Sequence, residues 1–208
     1  MKKTIILSLA IALLTAPAFG FKQEDLDKLR STNSCEKCDL TFADLTGANL
    51  FKANLTGANL TGANLSGADL AKADLFKADL YKADLRRADL TGADLAGANL
   101  TGASLAKADL FWADLTDADL TDADLTDADL RGASLTFANL READLRRADL
   151  AKADLRRADL EDADLSGAVL RDTKIDFADF TNAKLCNTVM PDGQRIFQDC
   201  SRDIGKDK

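Results

Sequence analysis

Four cysteines, a run of aspartates and no histidine bound the chemistry open to this chain of 208 residues. Cys35 and Cys38 have the Cys-x-x-Cys spacing of a redox dithiol, while Cys186 and Cys200 lie far along the chain. Asp117, Asp119, Asp122, Asp124, Asp127 and Asp129 fall in a repeated Thr-Asp-Ala-Asp-Leu and offer the D-x-D spacing of a calcium loop. An EF-hand loop also needs a glycine at its sixth position and a terminal glutamate, and neither is present. The lack of histidine excludes imidazole catalysis and every histidine-containing zinc site. There is no phosphate loop and no nucleophile set beside a base, so no catalytic, cofactor-binding or metal-binding residue is expected. Lys and Arg number 27 against 35 Asp and Glu, a net charge of −8, which argues against ordinary nucleic-acid binding.

These residues sit in a chain with two parts. Lys2 and Lys3 precede an apolar run from Ile5 to Thr15, and Pro17 follows among small residues. That order predicts a secretory signal peptide over residues 1–20, cleaved after Ala18 or Gly20. The run is shorter than the roughly 20 residues that span a bilayer, so no membrane insertion is expected after cleavage. Cleavage after Gly20 leaves 25 basic against 35 acidic residues, a charge of −10. Export means the periplasm, the thylakoid lumen if the source is cyanobacterial, or secretion. All are settings in which cysteines form bridges.

The remainder is governed by a period of five. From Leu40 to Leu170 every fifth residue is leucine, and from Ala43 to Ala168 the residue two before each leucine is alanine. Asp or Asn mostly stands between them, with Ser104 and Ser134 as variants. An α-helix would rotate successive leucines by about 140°, and a flat strand would send them to alternate faces. A solenoid whose coil holds whole pentads resolves this. Ala and Leu face the axis, the residue between them points out, and the last two positions turn the corner. Gly47, Gly57, Gly62 and six further glycines occupy the second corner position, as a turn allows.

The A-(D/N)-L-x-x units resemble the pentapeptide repeat family from Cys35 to about Met190. The resemblance implies an all-β fold, a right-handed quadrilateral β-helix with four pentads per coil. The leucine slots then continue as Ile175, Phe180, Leu185 and Met190, giving nearly eight coils and a rod roughly 37 Å long at about 4.8 Å per coil. Residues 21–34 are expected to form an N-terminal helical cap, with Leu26 and Leu29 covering an end. The β-helix is placed at 35–190, with the repeat decaying at Thr173 and Lys174, and a C-terminal cap at 191–208. Both ends need covering because they expose core and unpaired backbone.

On this layout Cys35 and Cys38 meet at the first coil and Cys186 and Cys200 at the last, too far apart for one zinc site. Bridges Cys35–Cys38 and Cys186–Cys200 are expected, with a redox dithiol, free buried thiols and intermolecular links as the alternatives. Function must lie on the outward positions. Basic residues form one belt at Lys72, Lys77, Lys82, Arg86 and Arg87, and another at Arg141, Arg146, Arg147, Lys152, Arg156 and Arg157. Phe111, Trp112, Phe137, Arg146 and Arg147 are the candidate interaction surface, with Phe137 and Phe177 on one face separated by a charged coil. Tyr81 and Arg141 interrupt the ladder of Thr41, Thr61, Thr101 and Thr121, which disfavours an ice-binding array. The expected function is a non-enzymatic exported scaffold or protein-interaction module of unknown partner, as a monomer or an end-to-end or face dimer. The alternatives are a DNA mimic that binds gyrase, disfavoured by the signal peptide, and an exported thiol–disulfide protein using Cys35 and Cys38.

Overall fold

The computed structural model describes residues 20–197 and Cys200. The expected export segment, apart from Gly20, and the tail 201–208 lie outside the described residues. A helix, α1 (Gln23–Thr32), leads into a solenoid that ends in a hairpin of β1 (Cys186–Val189) and β2 (Arg195–Phe197). The solenoid is a ladder of parallel bridges, each joining a residue to the one 20 further on, from Ser34↔Asn54 to Val169↔Val189. Four pentads therefore make one coil, with a single bridged residue on each side and a two-residue bend at each corner.

Pentad 100–104 shows why this sequence closes so regularly, since each of its backbone N–H groups has an acceptor. Leu100 N–H donates to the Asp119 carbonyl at 2.7 Å, and Gly102 N–H to the Thr121 carbonyl at 2.8 Å. Ala103 N–H turns back to the Leu100 carbonyl at 2.9 Å, and Ser104 N–H reaches the Ala83 carbonyl of the preceding coil at 2.9 Å. The Thr101 N–H points away from all of these and donates instead to Asn99 Oδ1 at 3.1 Å. The Asp or Asn position is thus structural as well as outward-facing, closing an Asx turn in pentad after pentad. Ser104 and Ser134 make no such bond among the described residues. Ser104→Asn should supply the missing acceptor for Ala106 N–H and stabilise by about 0.5–1 kcal/mol. Thermal melting of that variant checks this, and an unchanged or lower midpoint contradicts it.

The second corner residue has a left-handed backbone throughout, at φ +61° for Gly47 but also at φ +57° for Trp112 and φ +61° for Phe137. This is the positive φ that a type II turn requires. At seven of the nine repeat glycines a long side chain from the preceding coil lies over the position, while Gly47 and Gly67 are open. A Cβ on Gly62 would sit 2.3 Å from the Phe42 ring, and one on Gly132 would be 3.3 Å from the Trp112 indole.

The interior is a column of leucines and alanines, with Leu55 through Leu170 fully buried. The repeat consensus lapses at Thr173 and Lys174, but the coil runs on through both. Thr173 occupies an alanine slot and its hydroxyl donates to the Leu150 carbonyl at 2.7 Å. Thr188 does the same to the Leu165 carbonyl, so both buried hydroxyls have partners and the ladder runs on to Val189. At the start, α1 buries Leu26 and Leu29 over the first coil, and Asp25 Oδ2 accepts the Asp39 N–H at 2.9 Å. At the other end, Ile175 and Phe180 are only partly buried, and β2 lays Ile196 against the core.

Candidate interaction surface

Cys35 is bonded to Cys38 and Cys186 to Cys200. Cys35 and Cys38 are buried, and a thiolate needs access to a sulfur to exchange with it. Asp25 brings its carboxylate within 4.8 Å of both sulfurs, but sulfurs joined to each other are not available as thiolate metal ligands.

The 20-residue coil sorts the outward residues into four corners. Phe111 and Trp112 stand at one, their rings 6.0 Å apart edge to face, with the Arg131 guanidinium 5.4 Å from the Phe111 ring. Phe137 stands at the next corner. Arg157 does not separate it from Phe177 but joins them, lying 5.2 Å from one ring and 5.9 Å from the other. The side between these corners carries Asp114, Ser134, Asp154 and Lys174. Arg146 and Arg147 occupy a different corner, away from Phe137, and both are paired: Arg146 with Asp144 at 2.6 Å and Arg147 with Asp127 at 2.6 Å. The structure therefore brings together Phe111 and Trp112, sets Phe137 across one side from them, and does not add the two arginines.

The belts are also less cationic than chain order suggests. In the Ala-Asp-Leu-Arg units the arginine folds back on the aspartate two residues before it, at 2.5 Å for Arg86 and Asp84 and 2.7 Å for Arg156 and Asp154. The Arg156 guanidinium, with Lys174 nearby, holds the Asp154 carboxyl down to about 2, against an ordinary 3.8. Asp84, Asp127 and Asp129 are likewise lowered by hydrogen bonds from Arg86, Arg147 and Arg131. Because the folded value lies below the unfolded one, this stabilisation is complete above about pH 4 and is lost as the pH falls through 2. Asp154→Asn should flatten that acid limb. Melting midpoints of parent and variant at pH 5, 3 and 2 check this, and parallel curves contradict it.

Lys77 and Lys82 lie over the rings of Phe76 and Tyr81, each at 5.0 Å. Phe111 and Trp112 stand out in the sequence by type. Phe177 shares the Phe137 face on a 20-residue coil, but Arg157 reads in chain order as one charge of a belt and escapes the candidate set, although it contacts both rings.

Comparison with known proteins bears on the whole rod. A family model described as pentapeptide repeats (8 copies) matches overlapping segments from 38–75 to 153–190. No curated protein matches the chain. Among solved structures, one similar chain is HetL, a pentapeptide repeat protein involved in heterocyst differentiation regulation from the cyanobacterium Nostoc sp. strain PCC 7120. It is 35% identical over 78% of this chain and 87% of that one, with a TM-score of 0.40. Rfr23, a pentapeptide repeat protein from the cyanobacterium Cyanothece 51142, is 25% identical over 77% of this chain and 97% of its own, with a TM-score of 0.30. QnrB1, a plasmid-mediated fluoroquinolone resistance protein, is 19% identical over 72% and 75%, with a TM-score of 0.38.

Proposed function

The chain belongs to the pentapeptide repeat family, and from that premise we propose that it is a non-enzymatic, exported scaffold whose rigid solenoid presents an interaction surface to a protein partner. The coil is read as right-handed and four-sided. Parallel crossovers are overwhelmingly right-handed, and four bends per 20-residue coil support a square section. Export is supported by Lys2, Lys3, the apolar run from Ile5 and the small residues up to Ala18 or Gly20. The compartment is the periplasm, or the thylakoid lumen in a cyanobacterium.

One observation carries the interaction reading, and it is where the exposed aromatics lie. Of nine exposed large hydrophobic side chains among the described residues, six flank a single side of the rod. Phe51, Phe111 and Trp112 stand at one of its corners, and Phe76, Phe137 and Phe177 at the other. Solvated residues with no task would spread over all four corners, whereas the corner of Arg86 and Arg147 has none of the nine. Aromatic and arginine side chains gathered on one surface are the composition of an interface centre. Affinity capture from the exported fraction of the source organism, with heat-unfolded rod as control, tests the reading. Capture of a defined protein by the folded rod alone is expected, and no capture above the control overturns it.

A further inference from the structure

Resting on that interaction reading, we infer that the Trp112 corner, with the adjoining side of Asp114, Ser134 and Asp154, is a docking groove for an acidic peptide segment that also carries apolar side chains. A groove of about 990 Å³ opens beside Trp112. Phe111 and Trp112 wall it, and Gly132 and Ala151 give it a low apolar floor. The indole is 67% exposed and lies down on the coil below, because Gly132 leaves the space for it. This is a large, wet apolar surface of the kind that takes a leucine or valine side chain.

The electrostatics select the rest of the partner. Arg131, Lys152, Arg171 and Lys174 line the groove with Asp114, Asp154 and Asp172, in a chain whose net charge is −8. Arg131 is tied to Asp129 and Lys174 to Asp154. Lys152 and Arg171 pair with no carboxylate among the described residues, so two exposed cations stand free along the groove that Trp112 walls. Carboxylates of an incoming chain would neutralise them, while Asp114 and Asp172 accept its backbone N–H groups. The same two aspartates repel the evenly charged backbone of a nucleic acid, which favours a peptide. The long groove suits an extended segment.

Trp112 is the only tryptophan of the chain, so its emission reports this groove directly. The full chain is titrated with a decapeptide of alternating Glu and Leu, a matching Lys–Leu peptide, a Glu–Ser peptide and oligo(dT). The Glu–Leu peptide is expected to give a saturable blue shift that weakens with added salt. In the double variant K152E/R171E its affinity should fall at least tenfold, while circular dichroism stays that of the parent. The Lys–Leu and Glu–Ser peptides should bind at least tenfold more weakly than Glu–Leu. No saturable shift, an equal response to Lys–Leu, stronger binding of oligo(dT) or an unaffected double variant would each overturn the groove. A captured partner that holds K152E/R171E as tightly as the parent would leave the scaffold reading standing and remove only this inference. Failure to capture any partner strikes the scaffold reading itself.

Discussion

Leu100→Asp should prevent the rod from folding as a cooperative unit, while Asp94→Ala should melt within a few degrees of the parent. Leu100 has no exposed surface and sits mid-column, with coils stacked on both sides. Losing its side chain from a packed core costs about 2–5 kcal/mol. An aspartate there would also be a buried carboxylate with no cation, which adds roughly 3–5 kcal/mol when breaking a buried pair is the guide. Nothing at that depth can relieve it, because the nearby polar groups are backbone N–H and C=O already joined between coils. Asp94, by contrast, loses one bond, from the Ala96 N–H at 2.9 Å. Ala96 is partly exposed, so water replaces the acceptor, and the loss is about 0.5–1.5 kcal/mol. At about 2–4 °C per kcal/mol for a chain of this size, the two variants differ by far more than measurement error. Equal melting midpoints would mean that the leucine column does not face inward.

The contrast between those two substitutions also shows what the sequence reveals and what it conceals. A leucine every fifth residue leaves only a solenoid, since neither helix nor strand gives Leu40 to Leu170 a common side. The coil length is a different matter. Period five permits any whole number of pentads, and the bridges between residues 20 apart make it four. A second signal was present in the corner positions, where Phe42 precedes Gly62 and Trp112 precedes Gly132 by one coil. A Cβ at either glycine would crowd the ring above it, so these two pairings carry the same 20-residue period. The Asx turn is harder to see. Asp, Asn and Ser at one position read equally well as solvated polarity, and only the orphan N–H two residues on distinguishes them. At Thr173 the consensus lapses without ending the core, and what accommodates a hydroxyl in an alanine slot, its bond to the Leu150 carbonyl, is not visible in the sequence.

The interaction surface was half legible for the same reason. Phe111 and Trp112 attract notice as neighbours in the chain, but Lys152 and Arg171 are 40 and 59 residues beyond Trp112 and join it in one groove only once coils are counted. Reading the charges in chain order yields belts. Reading them by corner yields one side of the rod with aromatic edges and two free cations, and a corner where Arg146 and Arg147 are tied to Asp144 and Asp127. A partner meets corners and sides, so the second ordering is the one that bears on recognition.

Breaking the Cys186–Cys200 bridge should cost more than breaking Cys35–Cys38, and its effect should stay local. The bridge has a sequence separation of 14 and closes a loop of about 15 residues, worth roughly 3 kcal/mol in the chain-entropy account. Cys35–Cys38, with a separation of 3, is worth roughly 2 kcal/mol by the same account. What the longer bridge retains is β2, three residues whose pairing with β1 is too short to persist alone. Without it Ile196 leaves the core, and Phe180 and Met190, already only partly buried, gain solvent. A solenoid transmits this only from coil to neighbouring coil, so fraying should run back from Val189 and fade before Leu100. The order of reduction should follow burial as well, since Cys186 and Cys200 are partly exposed and Cys35 is sealed under α1. Timed thiol labelling during exposure to reductant, with hydrogen exchange on Cys200→Ser, reads both effects. Two thiols should appear well before four, and lost protection should be confined to residues 171–190. Simultaneous release of all four thiols, or loss of protection along the entire rod, would show that the hairpin is not a separable cap.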